Sequence, residues 1–225
     1  MTPQQQSVIE QGHWFKSRSQ YLKNFLLTQG KTRSLKAQQS LFLRGDKHNG
    51  IYAVLSGVVR ISGVSNEGKE AVLSFIETPL WFGEVTLFDG GLRTHDVYAQ
   101  TDVVLFYVPQ RALEQLLNEQ PQYWQEFGLL LAQKLRLMFT SMEDHALLSA
   151  EQKVCNRLLI LSEHTEHLTP LVLSQQQLAD MTYLTRQTIN QILQRLVELQ
   201  AISLGYQRIT ILDKQKLHVR TGKLK

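Results

Sequence analysis

The chain has 225 residues, enough for two small domains that each bury a core. At 43% hydrophobic and 20% charged residues, the composition is that of a globular protein and excludes disordered and fibrous classes. There is no run of about 18 apolar residues to span a membrane, the start Met1-Thr2-Pro3-Gln4-Gln5-Gln6 lacks the regions of a secretion signal, and the single Cys155 excludes an internal disulfide or a four-thiolate cluster, so a cytoplasmic location is expected.

In chain order, residues 14–27 predict a helix, with apolar Trp14, Tyr21, Leu22, Phe25 and Leu26. Residues 41–108 hold β-branched or aromatic runs of strand length at 51–55, 58–61, 71–76 and 103–108, with turns at Gly45-Asp46, Ser56-Gly57 and Asn66-Glu67-Gly68. Short strands without long helices between them predict an antiparallel barrel or jelly roll. Within it, the loop 81–94 carries Gly83, Glu84, Val85, Arg93 and Thr94. A glycine there lets free backbone N–H groups approach an anion, Glu84 can accept from sugar hydroxyls, and Arg93 offers a forked cation for phosphate. A plainer account has Gly83 merely turning the chain and Arg93 paired with Glu84 or Asp96.

After Pro109, helical patterning runs from about 111 to 148, with Pro121 starting the main segment. Leu131, Leu135, Met138, Met142 and His145 step by four and three, the spacing of a coiled-coil seam, although Leu130, Leu137 and Phe139 widen the stripe enough to cover a core as well. The expectation is a parallel homodimer through this helix.

The stretch 174–212 reads as a helix-turn-helix followed by a hairpin. Ser174 and Thr185 suit N-caps, because a side-chain oxygen accepts an otherwise unpaired backbone N–H. Ile189, Ile192, Leu193 and Leu196 share one helical face, and Arg186, Gln187, Asn190 and Gln191 begin the opposite one. Long hydrogen-bonding side chains of this kind read base edges in a major groove, though helix pairs with a solvated polar face occur in many folds. Two short apolar runs, 201–204 and 209–212, with Gly205-Tyr206-Gln207 between them, make a wing. Charge agrees: from Ala150 onward ten Lys+Arg stand against six Asp+Glu, whereas the first 149 residues carry fourteen of each. The whole excess lies where phosphates would attract it.

In this order and spacing, Leu43-Arg44-Gly45-Asp46, the run 51–60, Phe82-Gly83-Glu84 with Arg93-Thr94, and Leu184-Thr185-Arg186-Gln187-Thr188-Ile189 resemble the Crp/Fnr family of bacterial transcription regulators over roughly residues 13–213. The resemblance implies an α+β protein: an N-terminal cyclic-nucleotide-binding-type β-roll with flanking helices (1–120), a dimerising helix (121–149) and a C-terminal winged helix-turn-helix (150–225). It implies that Arg186 and Gln187 contact bases, with Gln191 as a third reader, and that Ser174 and Gln175 hold phosphates. Family members often have glutamate where Gln187 stands, and glycine where Tyr183 stands in the turn. Gly83, Glu84, Val85, Arg93 and Thr94 match the pocket that holds ribose and cyclic phosphate in cAMP-binding relatives. Those relatives hold the purine with a Thr-Ser pair on the dimer helix; alignment along the seam puts Met138 and Phe139 there, and Thr140-Ser141 follows two residues later. The effector implied is a cyclic nucleotide, cAMP or cGMP. The partners implied are a near-palindromic duplex operator, a second copy of the chain and RNA polymerase, with no membrane.

Other chemistry is weakly signalled. His164-x-x-His167 with Glu163 and Glu166 falls in a polar connector, and the remaining histidines are dispersed, so no metal is expected. No nucleophile–base motif or phosphate-binding glycine–lysine loop is present, so no enzyme is expected. The alternative function is a cyclic-nucleotide-sensing module that acts on a protein partner rather than DNA.

Overall fold

The computed structural model describes residues 1–68, 70–162, 168 and 170–221. The chain divides into two compact units, Met1–Arg136 and Leu137–Lys225.

The first unit opens with α1 (Pro3–Gln11), α2 (His13–Lys16) and α3 (Gln20–Gln29). The strands β1 (Lys31–Leu35), β2 (Ser40–Phe42), β3 (Gly50–Ser56), β4 (Val58–Val64), β5 (Glu70–Glu77), β6 (Trp81–Phe82), β7 (Asp96–Ala99) and β8 (Val103–Pro109) follow, with the short α4 (Val85–Asp89) between β6 and β7. They form two four-stranded sheets, ordered β1-β8-β3-β6 and β2-β7-β4-β5, antiparallel as the strand spacing predicts and the β-roll that the family resemblance implies. β3 lies inside its sheet and is buried on both faces, which is why it reads as an unbroken apolar run. Ile51, Ala53 and Leu55 pack with the helices around Trp14, Phe15 and Trp81, while Tyr52 and Val54 belong to the core between the sheets. Gly50 starts β3 at φ +141, where an added Cβ would lie 2.1 Å from the Val108 carbonyl oxygen.

The helix expected over 14–27 is broken in two. Arg18, 9% exposed, turns inward to donate to the Trp14 carbonyl (2.9 Å) and to pair with Glu126 (3.3 Å), and Ser19 caps α3 through the Leu22 N–H. The run expected over 111–148 is likewise two helices, α5 (Gln110–Glu119) and α6 (Tyr123–Leu147), parted around Pro121. α6 buries Tyr123, Phe127 and Leu130 along one stripe, which continues one turn later to Lys134. The seam residues follow another line: Leu131 is half-buried, His145 is exposed, and Leu135, Met138 and Met142 are 48%, 60% and 64% exposed.

The second unit contains α7 (Ala150–Leu161), β9 (Leu171–Val172), α8 (Gln175–Thr182), α9 (Arg186–Glu198), β10 (Ile202–Gly205), β11 (Arg208–Ile211) and α10 (Lys214–Arg220). The sheet order is β10-β11-β9, so the wing has a third, two-residue strand paired through Ile209 and Leu171. Val154, Cys155, Leu158, Leu178, Ile189, Leu193, Leu196 and Leu217 make one core. Ile189 and Leu193 are fully buried, each contributing about 1.5–3 kcal/mol over an exposed position.

Candidate nucleic-acid interface and effector site

Ser174 accepts from the Gln177 N–H (3.1 Å) while Gln177 reaches back to the Ser174 N–H (2.8 Å), so both ends of the cap are satisfied. α8 ends at Tyr183, which takes the left-handed conformation (φ 54, ψ 37). For a non-glycine residue that costs about 1–2 kcal/mol. Two residues on, Thr185 accepts from the Thr188 N–H (3.1 Å) and starts α9. With Ile189, Ile192, Leu193 and Leu196 turned into the core, Arg186, Gln187, Asn190 and Gln191 are all exposed at the N-terminal end of α9.

Gln175 meets this face by donating to Asn190 Oδ1 (3.3 Å). Arg195, near the other end of the helix, is tied to Glu151 (3.0 Å), which also holds Arg220 (3.2 Å). Among the described residues Arg186 has no carboxylate within 4 Å, so its charge is available to a ligand. Arg186, Gln175 and Gln176 line a groove of about 540 Å³ with Tyr206, Gln207 and Arg208 of the wing turn. A groove edged by two guanidiniums and amides, beside a row of exposed hydrogen-bonding side chains, suits a phosphodiester strand and its bases.

In the β-roll, Arg93 is 3% exposed, and its burial lowers its pKa. Its Nη1 donates to the Gly83 carbonyl (3.0 Å) and Thr86 Oγ1 (3.2 Å), and its Nη2 to Asn49 Oδ1 (2.7 Å) and the Gly50 carbonyl (2.8 Å). The guanidinium lies 4.1 Å from the Phe42 ring centre, a cation–π contact. Gly83 makes this cage feasible: at φ +93, an added Cβ would sit 3.1 Å from Arg93 Nη1. His48 closes the network. Its Nδ1 meets Thr86 Oγ1 at 2.7 Å, and burial together with the Arg93 charge lowers its pKa to about 4, so the ring is neutral at pH 7.

Neither pairing suggested for Arg93 occurs. Glu84, 1% exposed, accepts from Lys134 Nζ of α6 at 2.7 Å, and Asp96 accepts from the Arg44 backbone N–H (2.7 Å). Burial lowers the pKa of Lys134 and the Glu84 charge opposes that shift.

Gly83, Glu84 and Arg93 are therefore gathered as the motif suggests, joined by Asn49, Thr86, His48 and Lys134. Lys134 had a readable signal, as the one charge extending the apolar stripe 123–127–130 of α6; Asn49 and Thr86 had none. Val85 is 44% exposed, and Thr94 lies at the surface, where its carbonyl accepts from Arg44 (2.9 Å) and its hydroxyl meets His95 (2.9 Å). Met138 and Phe139 are each 60% exposed. His164 and His167, with Glu163 and Glu166, lie outside the described residues.

The cage supplies Arg93 with neutral acceptors only. Among the described residues no carboxylate lies within 4 Å of it, and its buried Nε has no partner. A buried cation with no directly paired carboxylate, only the more distant charges of Glu84 and Asp46, is expensive, so these residues fit an anionic group such as a cyclic phosphate.

A β-roll with a caged cation and a winged helix-turn-helix with an exposed reading face define a sensor joined to a DNA-binding domain. The family profile for the cyclic nucleotide-binding domain matches residues 32–120 and that for the Crp-like helix-turn-helix domain residues 152–220. The CRP-like cAMP-activated global transcriptional regulator of Mycobacterium tuberculosis is 25% identical over 184 residues, 79% of this chain and 82% of that one. The crystal structure of a CRP/FNR-family transcriptional regulator from Thermus thermophilus is 28% identical, with a TM-score of 0.71 over 86% of this chain and 99% of that one. FixK2 from Bradyrhizobium japonicum shares the fold, with a TM-score of 0.75, 21% identity and coverage of 87% and 99%. The chain belongs to the Crp/Fnr family and is a DNA-binding transcription regulator whose sensor is a cyclic-nucleotide-binding domain. The match to a Crp-like helix-turn-helix disfavours the alternative of a sensor module acting on a protein partner.

Proposed function

We propose that the chain acts in the cytoplasm, without catalysis, as a homodimer paired through α6, each copy inserting the start of α9 into one of two successive major grooves. The observation that carries this is the exposed set Arg186, Gln187, Asn190 and Gln191 above a fully buried Ile189–Leu193 face. Arg186 and Gln187 read bases with Gln191 beside them, Ser174, Gln175 and Thr185 hold backbone phosphates, and Asn190 braces Gln175. The seam Leu131, Leu135, Met138, Met142 and His145 leaves apolar surface that a second α6 would cover. A two-fold dimer sets two such helices about 34 Å apart and so calls for a near-palindromic operator; RNA polymerase is the partner at the promoter.

The effector is an anion of the cyclic-nucleotide class, its phosphate neutralising Arg93 and its sugar facing Gly83 and Glu84. Of the other residues that the family likeness points to, Val85 and Thr94 flank this pocket in sequence. Titration calorimetry with cAMP and cGMP tests this: no heat up to about 1 mM removes the class. DNA reading is tested by selecting bound duplexes from random DNA and then measuring Arg186→Ala, expected to lose about 1–3 kcal/mol on the selected site and to relax sequence choice. Equal loss on every sequence would reduce Arg186 to a phosphate contact.

A further inference from the structure

The connection from α8 to α9 is three residues long, and its pivot is a tyrosine in a conformation that suits glycine. Burial does not account for it, since Tyr183 is 50% exposed. Its ring instead meets the imidazole of His145 edge-on, with centroids 5.3 Å apart and planes at 77°. Ser141, Met142 and His145, spaced as one face of α6, line a hollow of about 290 Å³ with it. A second anchor reaches the same turn from α7, where Arg157 Nη2 donates to the Met181 carbonyl (3.5 Å). Two residues after Tyr183, Thr185 caps α9 and Arg186 and Gln187 begin its reading face. A shift at Tyr183 is thus passed over a short, conformationally fixed span to the base-contacting residues.

We propose that Tyr183 is a positioning residue for DNA reading: its ring, braced on His145, fixes the direction of α9 against the C-terminal turns of α6. The proposal rests on the reading that α9 enters DNA. Glycine would hold the same backbone turn with less strain but would remove the brace, so the strained tyrosine is kept for what its ring touches. In a dimer paired through α6, this brace sets the angle each reading helix makes with the two-fold axis.

The test measures affinity for a duplex selected by the wild-type protein, together with melting temperature, for Tyr183→Gly, Tyr183→Phe, His145→Ala and the Tyr183→Gly/His145→Ala double variant. Tyr183→Gly should melt no lower than wild type yet bind about tenfold more weakly, and Tyr183→Phe should bind as wild type. Measured at protein concentrations where sedimentation shows both variants to have the same oligomeric state as wild type, His145→Ala should weaken binding alone and add nothing to Tyr183→Gly, because both then remove the same ring contact. Wild-type affinity for Tyr183→Gly, a lower melting temperature for it, or additive losses in the double variant would each overturn the brace. A loss in Tyr183→Phe equal to that in Tyr183→Gly would assign the effect to a hydroxyl contact with DNA and overturn it too. Failure of the DNA reading looks different: Arg186→Ala would then bind as wild type.

Discussion

Replacing Lys134 by methionine isolates the ion pair that joins α6 to the β-roll. Glu84 is 1% exposed and its Oε2 lies 2.7 Å from Lys134 Nζ, whereas the lysine side chain is 30% exposed. Breaking a fully buried pair by removing one partner costs about 3–5 kcal/mol. Water at the lysine end screens part of that, so about 2–3 kcal/mol is expected for Lys134→Met, a fall in Tm of roughly 5–10 °C. Glu84→Gln leaves a lysine that can still reach water, and should cost about 1 kcal/mol. The double variant replaces both charges with groups that need no counterion and should cost about 1 kcal/mol in total, leaving a coupling of about 2 kcal/mol. Urea unfolding followed by fluorescence and circular dichroism, with unchanged m-values, gives all three numbers. The electrostatic account is refuted if Lys134→Met costs under about 0.5 kcal/mol, or if the double variant costs the sum of the two singles.

Three further outcomes follow from the same geometry. His48 titrates at about 4 in the folded protein against an ordinary 6.5, so between those values the unfolded chain binds the extra proton and stability falls as pH drops from 6.5 to 4. The loss approaches about 3 kcal/mol at the acid end, and unfolding free energies of His48→Gln across that window should lack this slope. Gly83→Ala should cost about 1–3 kcal/mol, because its Cβ meets Arg93 Nη1 at 3.1 Å on a backbone with φ +93. The control Gly90→Ala, at φ +63 with nothing within 4 Å of the new Cβ, should cost about 1 kcal/mol, and equal losses would dismiss the Arg93 cradle. Cys155, whose thiol burial pushes up to about 12, should react with dithionitrobenzoate at pH 8 about a hundredfold more slowly in the native protein than in urea.

What could be read from the sequence depended on how each element is buried. α9 was legible because its burial is periodic, Ile189, Ile192, Leu193 and Leu196 against a polar front, and β3 because it is apolar throughout, as a strand covered on both faces must be. α6 carries two apolar stripes, and the pattern alone could not say that the one the chain buries itself runs through Tyr123, Phe127 and Leu130. Elements with little burial left little trace. α1 buries Ile9 alone, and β1, Lys-Thr-Arg-Ser-Leu at a sheet edge, buries Leu35 alone. α10 shows one buried residue, Leu217.

The site divides along a different line. Motif spacing gathered Gly83, Glu84 and Arg93, but their partners come from segments far away in sequence: Asn49 and Gly50 at the start of β3, and Lys134 on α6. Local pattern carries no information about such pairings, since each is chosen by the tertiary fold. The consequence is chemical. Had Arg93 paired with Glu84, the β-roll would hold a neutralised ion pair with no call for an anion. Because Lys134 takes Glu84, Arg93 is left in a cage of carbonyls, an amide and a hydroxyl, with no carboxylate paired to it among the described residues and its Nε–H unmet, while Glu84 and Asp46 act on its charge only from a distance. The charge balance of the pocket is thus set in part by a residue of α6, the helix through which we propose the dimer pairs, so a rotation of α6 that pulls Lys134 from Glu84 would alter the field at Arg93 as well.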